Sequence, residues 1–132
     1  MMFTKGVLLP EQEYVVTREK LQRYAEASGD HNPIHLDEEF AKSVGLPNVI
    51  AHGMYTMALA GEAIRSWIGS ERQIIEFGTR FTKPVVVPAG EIVTLTFSGT
   101  VADVTATEAV IELSATCGGV KVLGQTKARI RL

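Results

Sequence analysis

A long apolar helix near the middle of the chain constrains the fold more than any other sequence feature. From about His52 to Ile68, ahead of Gly69, nearly every position carries an apolar or small side chain, and polar residues gather near its C-terminal end at Glu62, Arg65 and Ser66. A helix that is apolar on nearly all sides is a buried helix. The stretch falls short of the roughly 18 residues of a membrane span, so we expect protein to cover it.

The second half of the chain predicts the strands that provide this cover. Segments rich in β-branched residues alternate between apolar and polar positions in Ile92–Phe97, Ala109–Leu113 and Val120–Leu132, after a further apolar stretch around Ile74–Phe81. The Cys117-Gly118-Gly119-Val120 sequence predicts a hairpin turn. Four long antiparallel strands and one buried helix predict the α+β class. The expected architecture is a single hotdog fold, in which an antiparallel sheet wraps around the long helix.

The first half supplies shorter elements. Glu13 to Thr17 predicts a short strand, and Thr17 is the expected N-cap of a helix that Gly29 ends. Asp37 is the expected cap of a second, short helix that Gly45 closes.

Length and composition limit the function classes. The chain has 132 residues, 45% of them hydrophobic, which predicts one domain over residues 1–132. The formal net charge of -2, with interspersed signs, provides no basic face for nucleic acid. Cys117 is the only cysteine, so no intrachain disulfide forms and a reducing compartment fits best. Without a membrane span or a signal-peptide pattern over residues 1–10, we expect a cytoplasmic protein that does not bind membranes.

The segment from Ser28 to His35 carries the candidate chemistry. It places Asp30 and His35 five residues apart on a turn that Asn32-Pro33 stiffens. Taken alone, Asp30 would be a turn residue that caps backbone amides, and His35 would be a surface or core histidine. Together they can hold one water, because an imidazole with an ordinary pKa near about 6.5 is a suitable base at neutral pH. His31 is expected to be a solvated loop residue, and Ser28 has no paired base that would make it a nucleophile.

A second candidate group lies at the start of the apolar helix. Gly53 stands where backbone amides have no partner within the helix and where the helix dipole favours negative charge. Either it only opens a tight turn, or its amide binds an oxyanion, and the two roles are compatible. His52 is expected to be structural and to anchor the preceding loop. We expect no metal, because zinc would require a third protein ligand beside His35 and His52, and no HExxH or CxxC pattern is present.

These motifs resemble a known family. Tyr24–His35 followed by Ala51–Met54, and later Arg80–Val85, is similar to the MaoC-like (R)-specific enoyl thioester hydratases and dehydratases. The small catalytic subunits of (3R)-hydroxyacyl thioester dehydratases in type II fatty acid synthesis are the nearest group. The sequence departs from the pattern at Gly61, where some of these hydratases have a serine.

The resemblance implies an activity and a set of roles. The reaction would be the reversible hydration of trans-2-enoyl thioesters of coenzyme A or acyl carrier protein to (3R)-3-hydroxyacyl thioesters, without a cofactor. Asp30 and His35 would activate water. The Gly53 amide would bind the thioester carbonyl. Asn32 would belong to the same substrate-binding group and would order its loop. His52 and Ser28 would have secondary or structural roles. Family members usually form dimers in which two hotdog subunits share one continuous sheet.

Two other functions remain open at the level of sequence. Many hotdog proteins are thioesterases, which also activate water with a carboxylate, although the Asp-x-Asn-Pro-x-His arrangement argues against this reading. Other hotdog chains are non-catalytic acyl-binding subunits of a heterodimeric dehydratase. The presence of both Asp30 and His35 argues against that role, but the chain could still require a partner. The sequence leaves acyl-chain length, carrier and physiological direction open.

Overall fold

The structure, a computed structural model, describes residues 3–132. Its helices are α1 (Arg18–Ser28), α2 (Glu38–Ser43) and α3 (Gly53–Ile68), with one 3₁₀ turn at Pro33–His35. Its strands are β1 (Leu8–Val16), β2 (Gln73–Phe81), β3 (Val93–Val104), β4 (Glu108–Cys117) and β5 (Val120–Arg131). The strands form one antiparallel sheet in the order β1-β3-β4-β5-β2. This arrangement confirms the α+β class and the sheet around a long helix.

The local signals for helix ends are confirmed. Thr17 caps α1, its side chain accepting a hydrogen bond from the Lys20 amide, and Gly29 ends the helix in the left-handed conformation with φ 79°. Asp37 caps α2 through the Phe40 amide. The predicted turn joins β4 to β5, where Cys117 pairs with Val120. Both of its glycines have positive φ angles, as a tight hairpin requires.

Strand β1 begins earlier than the sequence analysis predicts. It starts at Leu8 rather than Glu13, and its pairing with β3 shifts register between Leu9 and Gln12. This bulge lies at Pro10, which cannot donate a ladder hydrogen bond and is tolerated at a bulge on an edge strand. The carbonyl of Pro10 instead accepts a hydrogen bond of 2.6 Å from the Trp67 indole. The bulge therefore ties the end of α3 to the edge of the sheet.

Helix α3 is buried along one face only. The buried residues of this face are Thr56, Ala60, Ala63, Ile64, Trp67 and Ile68. Trp67 packs against Gly99 of β3 so closely that a Cβ at that position would lie 2.8 Å from the indole. On another side, Met54 remains 59% exposed. The single sheet is too narrow to cover every apolar side of the helix, so the prediction of a fully buried helix is correct for one face.

In residues 3–132, no helix combines the length and apolarity needed to cross a bilayer. The prediction of one domain over residues 1–132 stays a prediction, and Met1 and Met2 lie outside the described residues.

Candidate active site

His35 lies at the end of the 3₁₀ turn and is 8% exposed. Asn32 caps this turn, its side-chain oxygen accepting a hydrogen bond from the Ile34 amide. The Nδ1–H of His35 donates to the Ile50 carbonyl at 2.7 Å. Because a carbonyl oxygen only accepts hydrogen bonds, Nδ1 carries a proton, and in the neutral ring Nε2 then holds the lone pair. The backbone therefore fixes the tautomer that leaves Nε2 of His35 available as a base.

His52 is the N-cap residue of α3 and is fully buried. Its Nε2–H donates to the Asp30 carbonyl at 3.0 Å, which leaves a lone pair on Nδ1. That atom is buried and has no hydrogen-bond partner within the described chain. Burial lowers the pKa of His52 below its ordinary value, so this ring is neutral near pH 7. It anchors a loop, as predicted, but the loop is that of Asp30 and not the segment directly before α3.

Asp30 occupies a turn with three side-chain-to-backbone contacts. The Ser28 hydroxyl accepts from the Asp30 amide at 3.1 Å, and Oδ1 of Asp30 accepts from the Asn32 amide at 3.1 Å. His31 is exposed, with Nδ1 lying 3.3 Å from the Gly29 carbonyl. Asp30 therefore stabilises the turn and also lies close to His35 and His52. Its second carboxylate oxygen makes no hydrogen bond among residues 3–132.

The three side chains of Asp30, His35 and His52 converge. One potential ligand atom from each lies within 4.8 Å of the others, and the two imidazole rings stack with centroids 4.0 Å apart. A water bridging a carboxylate and an imidazole can span about 5–6 Å with two ordinary hydrogen bonds. The group can therefore hold one water, with a lone pair on one side and a negative charge on the other.

The same convergence corrects one step of the sequence analysis. A third candidate metal ligand beside His35 and His52 does exist, because Asp30 supplies it. It was missed because the three residues match no contiguous metal-binding pattern. Ring stacking is an alternative reason for the two histidines to lie together, and it requires no ion.

The N-terminus of α3 borders this group. The side chain of His52 does not cap the helix. Within residues 3–132, the amides of Gly53 and Met54 have no hydrogen-bond acceptor, whereas those of Tyr55 and Thr56 donate to the His52 carbonyl. Free amides at a helix start attract negative charge. A Cβ at Gly53 would lie 3.2 Å from the Phe81 ring, so only glycine fits here without moving that ring.

A cavity of about 360 Å³ joins the base to the helix start. His35, Gly53 and Thr56 contribute its polar side, and Lys83 also lines it. Its remaining wall is largely apolar and includes Ile50, Ala51, Phe81, Pro84, Val85 and Val122. A mostly apolar cavity with a few converging polar groups is typical of a small-molecule site. Gly61 is not among the lining residues, so its missing side chain does not shape this cavity.

Arg18 supports the cavity wall, and the sequence analysis missed it. Its guanidinium donates to the Val87 carbonyl at 2.6 Å, to Asn48 at 2.7 Å and to Glu38 at 3.1 Å. It therefore ties α1 to α2 and to the two loops that meet at the Ile50–Val86 bridge. One sequence signal was available, because a cation in the first turn of a helix opposes the helix dipole and needs a compensating partner.

Comparisons with known proteins show the family and the fold of the chain. Residues 3–118 match the model of the MaoC-like domain family. Over 74 residues the chain is 43% identical to 3-hydroxyacyl-thioester dehydratase X of Mycobacterium tuberculosis, which covers 56% of this chain and 25% of that protein. A solved MaoC-like dehydratase matches 98% of this chain and 40% of its own, with a TM-score of 0.94 and 34% identity. An R-hydratase from Pseudomonas aeruginosa matches 97% of this chain and 81% of its own, with a TM-score of 0.86 and 27% identity. The chain thus spans a quarter of the length of the mycobacterial relative.

Proposed function

Because the chain belongs to the MaoC-like domain family, we propose that it catalyses the reversible hydration of trans-2-enoyl thioesters to (3R)-3-hydroxyacyl thioesters. One observation carries the proposal. The Ile50 carbonyl fixes the neutral His35 ring as the tautomer with a free Nε2, and a carboxylate oxygen of Asp30 lies within 4.8 Å of a ring nitrogen of His35. We also propose that residues 1–132 act as one hotdog domain without a cofactor or metal.

The hydration step follows from these positions. Nε2 of His35 takes one proton from the water while Asp30 accepts a hydrogen bond from its other hydrogen. The water oxygen bonds to C3, and the electrons of the C2–C3 double bond move to the thioester carbonyl, which becomes an enolate. The Gly53 amide stabilises the charge on that oxygen. The Asp30–His35 pair then returns the proton to C2, so both side chains end in their starting states.

Dehydration is the same path in reverse. It begins when the pair removes a proton from C2 and ends when the hydroxyl at C3 leaves as water. Since every step is reversible, the concentrations of the two thioesters decide the direction.

The carrier of the acyl chain is coenzyme A or acyl carrier protein. Both carriers hold the acyl chain at the end of an arm that includes a phosphate. The sequence contains four cations that could contact that phosphate, Arg65, Arg72, Arg80 and Lys83, and surface solvation is the common alternative role for each of them. Lys83 lines the cavity, whereas Arg72 donates to the Ile68 carbonyl and lies over the Phe3 ring. Because Lys83 alone of the four lines the cavity, we propose it for the phosphate contact.

We further propose that the functional unit is a dimer with a second hotdog subunit, either a copy of this chain or a related one. Strand β2 is an edge strand of the sheet, and Phe81 at its end is 54% exposed. Met54, next to the free amides of α3, is also largely exposed. A partner on this side would cover apolar surface and limit the access of bulk water to the site.

A direct assay tests the proposal. Crotonyl-CoA and a long-chain trans-2-enoyl-CoA are mixed with purified protein, and loss of the conjugated enoyl absorbance is followed together with thiol release. We expect absorbance loss without thiol release. Asp30→Asn and His35→Ala should each reduce the rate by about 10²–10⁴-fold, whereas His31→Ala, a neighbouring exposed histidine, should not.

Other outcomes separate the alternatives. Thiol release that depends on Asp30 would identify a thioesterase. No reaction with either substrate would indicate a non-catalytic subunit or one that requires a partner chain. Wild-type rates in either Asp30→Asn or His35→Ala would remove that residue from the mechanism, provided that circular dichroism shows an intact fold.

A further inference from the structure

We propose that the Thr56 hydroxyl is a second donor to the thioester carbonyl oxygen, acting beside the Gly53 amide. This inference rests on the proposed hydratase function and adds to it a side chain that the sequence analysis did not single out. Thr56 is the polar residue in an otherwise apolar or small first half of α3.

Thr56 presents an unbonded hydroxyl at the wall of the cavity. Thr56 is 3% exposed and lines the cavity, yet no hydrogen bond of its hydroxyl exists within the described residues. Thr82, which lines the same cavity, differs because its hydroxyl donates to the Lys121 carbonyl at 3.2 Å. Thr56 therefore has an unused donor that faces the space a ligand would fill.

Helix geometry directs this donor toward Gly53. Residues three apart lie on the same helical face, and each Cα–Cβ bond leans toward the N-terminus of the helix. The side chain of Thr56 thus extends back over the first turn, where the Gly53 amide is free. Both residues line the cavity that His35 also borders.

The usual structural role of a helical threonine is absent. Such a hydroxyl commonly donates to the carbonyl four residues earlier, which here is that of His52. That carbonyl accepts from the amides of Tyr55 and Thr56 instead, at 3.1 and 3.2 Å. If Thr56 only filled space, valine would serve equally well, because it has the same shape without an unpaired polar atom.

The chemistry requires a donor at this place. When water adds to C3, negative charge develops on the thioester oxygen, and of the two free amides at the start of α3 only that of Gly53 belongs to a residue that lines the cavity. His35 cannot supply the second donor, because its Nε2 carries a lone pair before the reaction. A hydroxyl rotates freely and can follow the oxygen as it changes from carbonyl to enolate. Loss of one such donor typically costs about 10²–10³-fold in kcat.

Substitutions of Thr56 test the inference. Thr56→Val keeps the shape of the side chain and removes the hydroxyl. Thr56→Ala also removes the hydroxyl and cannot overpack the site. Thr56→Ser keeps the hydroxyl. With crotonyl-CoA we expect the first two variants to lose about 10²-fold in kcat with little change in KM, and Thr56→Ser to retain most of the activity. Ser66→Ala is the matched control, because this hydroxyl of the same helix already donates to the Ala63 carbonyl.

The outcomes are distinguishable. Wild-type kcat in Thr56→Val and Thr56→Ala would overturn the inference while leaving the hydratase function intact. An increase in KM alone would also overturn it, since the contact would then be made equally in ground and transition states. Equal losses in Thr56→Ser and Thr56→Val would indicate a packing role. A wild-type protein that hydrates no enoyl thioester, either alone or with a partner hotdog chain, would instead refute the proposed function, and the Thr56 role with it.

Discussion

At the scale of single residues, the site combines two histidines in different chemical states. His35 donates through Nδ1 and lines the cavity, whereas His52 donates through Nε2 and buries Nδ1. The first arrangement leaves a base beside the ligand space. The second attaches the Asp30 loop to α3 and offers no exposed atom for reaction. We therefore expect His35 to act as the base and His52 to hold the Asp30 loop in place.

The buried His52 should make stability depend on pH. Burial lowers the pKa of His52, and the nearby rings of His35 and His31 lower it further. Asp30 opposes this shift through its carbonyl and its charge. The Tyr24 ring also packs against His52. The unfolded chain therefore binds this proton more tightly than the folded one. Stability is full above the ordinary histidine pKa of about 6.5 and is lost as pH falls below it.

Denaturant unfolding from about pH 7.5 to about pH 5.5 measures this loss. His52→Gln keeps a donor for the Asp30 carbonyl but cannot titrate, so we expect a weaker decline than in the wild type. His31→Gln should retain most of the wild-type decline, because His31 is the smallest of the influences on the His52 pKa. An unchanged pH dependence in His52→Gln would assign the acid sensitivity to other groups.

Gly53 provides a second prediction at this scale. Gly53→Ala would place a methyl group 3.2 Å from the Phe81 ring and beside the free amide. We expect kcat/KM for crotonyl-CoA to fall by about 10²-fold, because the oxyanion loses close access to the backbone. Adding Phe81→Ala removes the clash but not the methyl group, so the loss should persist in the double variant. Full recovery there would show that the glycine only accommodates Phe81.

At the scale of elements, short segments with strong end signals position the chemistry. Helix α1 ends at Gly29, directly before Asp30, and the left-handed φ of 79° turns the chain toward the histidines. The amide of Gly29 donates to the Ala25 carbonyl, which completes the helix. The end of α1 and the placement of the carboxylate thus depend on one glycine.

Gly29→Ala should therefore destabilise the fold. A side chain at this φ costs about 1–2 kcal/mol, and we expect that loss in the free energy of unfolding measured with urea. Gly61→Ala is the matched control, since Gly61 lies inside α3 with open space around it and no positive φ. It should raise stability by up to about 1 kcal/mol, because alanine is the better helix former. Equal effects of the two substitutions would contradict the conformational argument.

Elements with local signals were predictable from the sequence, and contacts between distant segments were not. Thr17, Gly29 and Asp37 mark helix ends through their own neighbours, and the double glycine marks its hairpin. The start of β1 was misplaced because the bulge at Pro10 depends on its pairing with β3 and on Trp67. Arg18 donates to a carbonyl 69 residues away. Thr56 becomes a candidate functional residue only because distant segments form a cavity against it. No short pattern encodes either contact.

At the scale of the whole molecule, the sheet has two edges with different surroundings. Strands β1 and β2 lie at its ends. The apolar side of α3 that the sheet leaves uncovered begins at Met54, beside the candidate site and the exposed Phe81. Asp30 is also exposed, although its carboxylate is expected to act on a water sheltered from bulk solvent. A second subunit on the β2 side would resolve both features.

The resulting prediction concerns assembly. Met54→Lys places a charge on apolar surface that is 59% exposed in the single chain, so it should weaken a dimer formed on that side and lower the hydration rate with it. Leu8→Lys is the matched control, because Leu8 is 78% exposed on β1, at the opposite edge of the sheet. Sedimentation velocity over a range of concentrations measures the assembly. We expect Leu8→Lys to remain dimeric, and Met54→Lys to dissociate and to regain activity at high protein concentration, because mass action restores the dimer.

A wild-type monomer with full activity would show that one chain shelters the site by itself. Dissociation of both variants would place the contact elsewhere than on the β2 side.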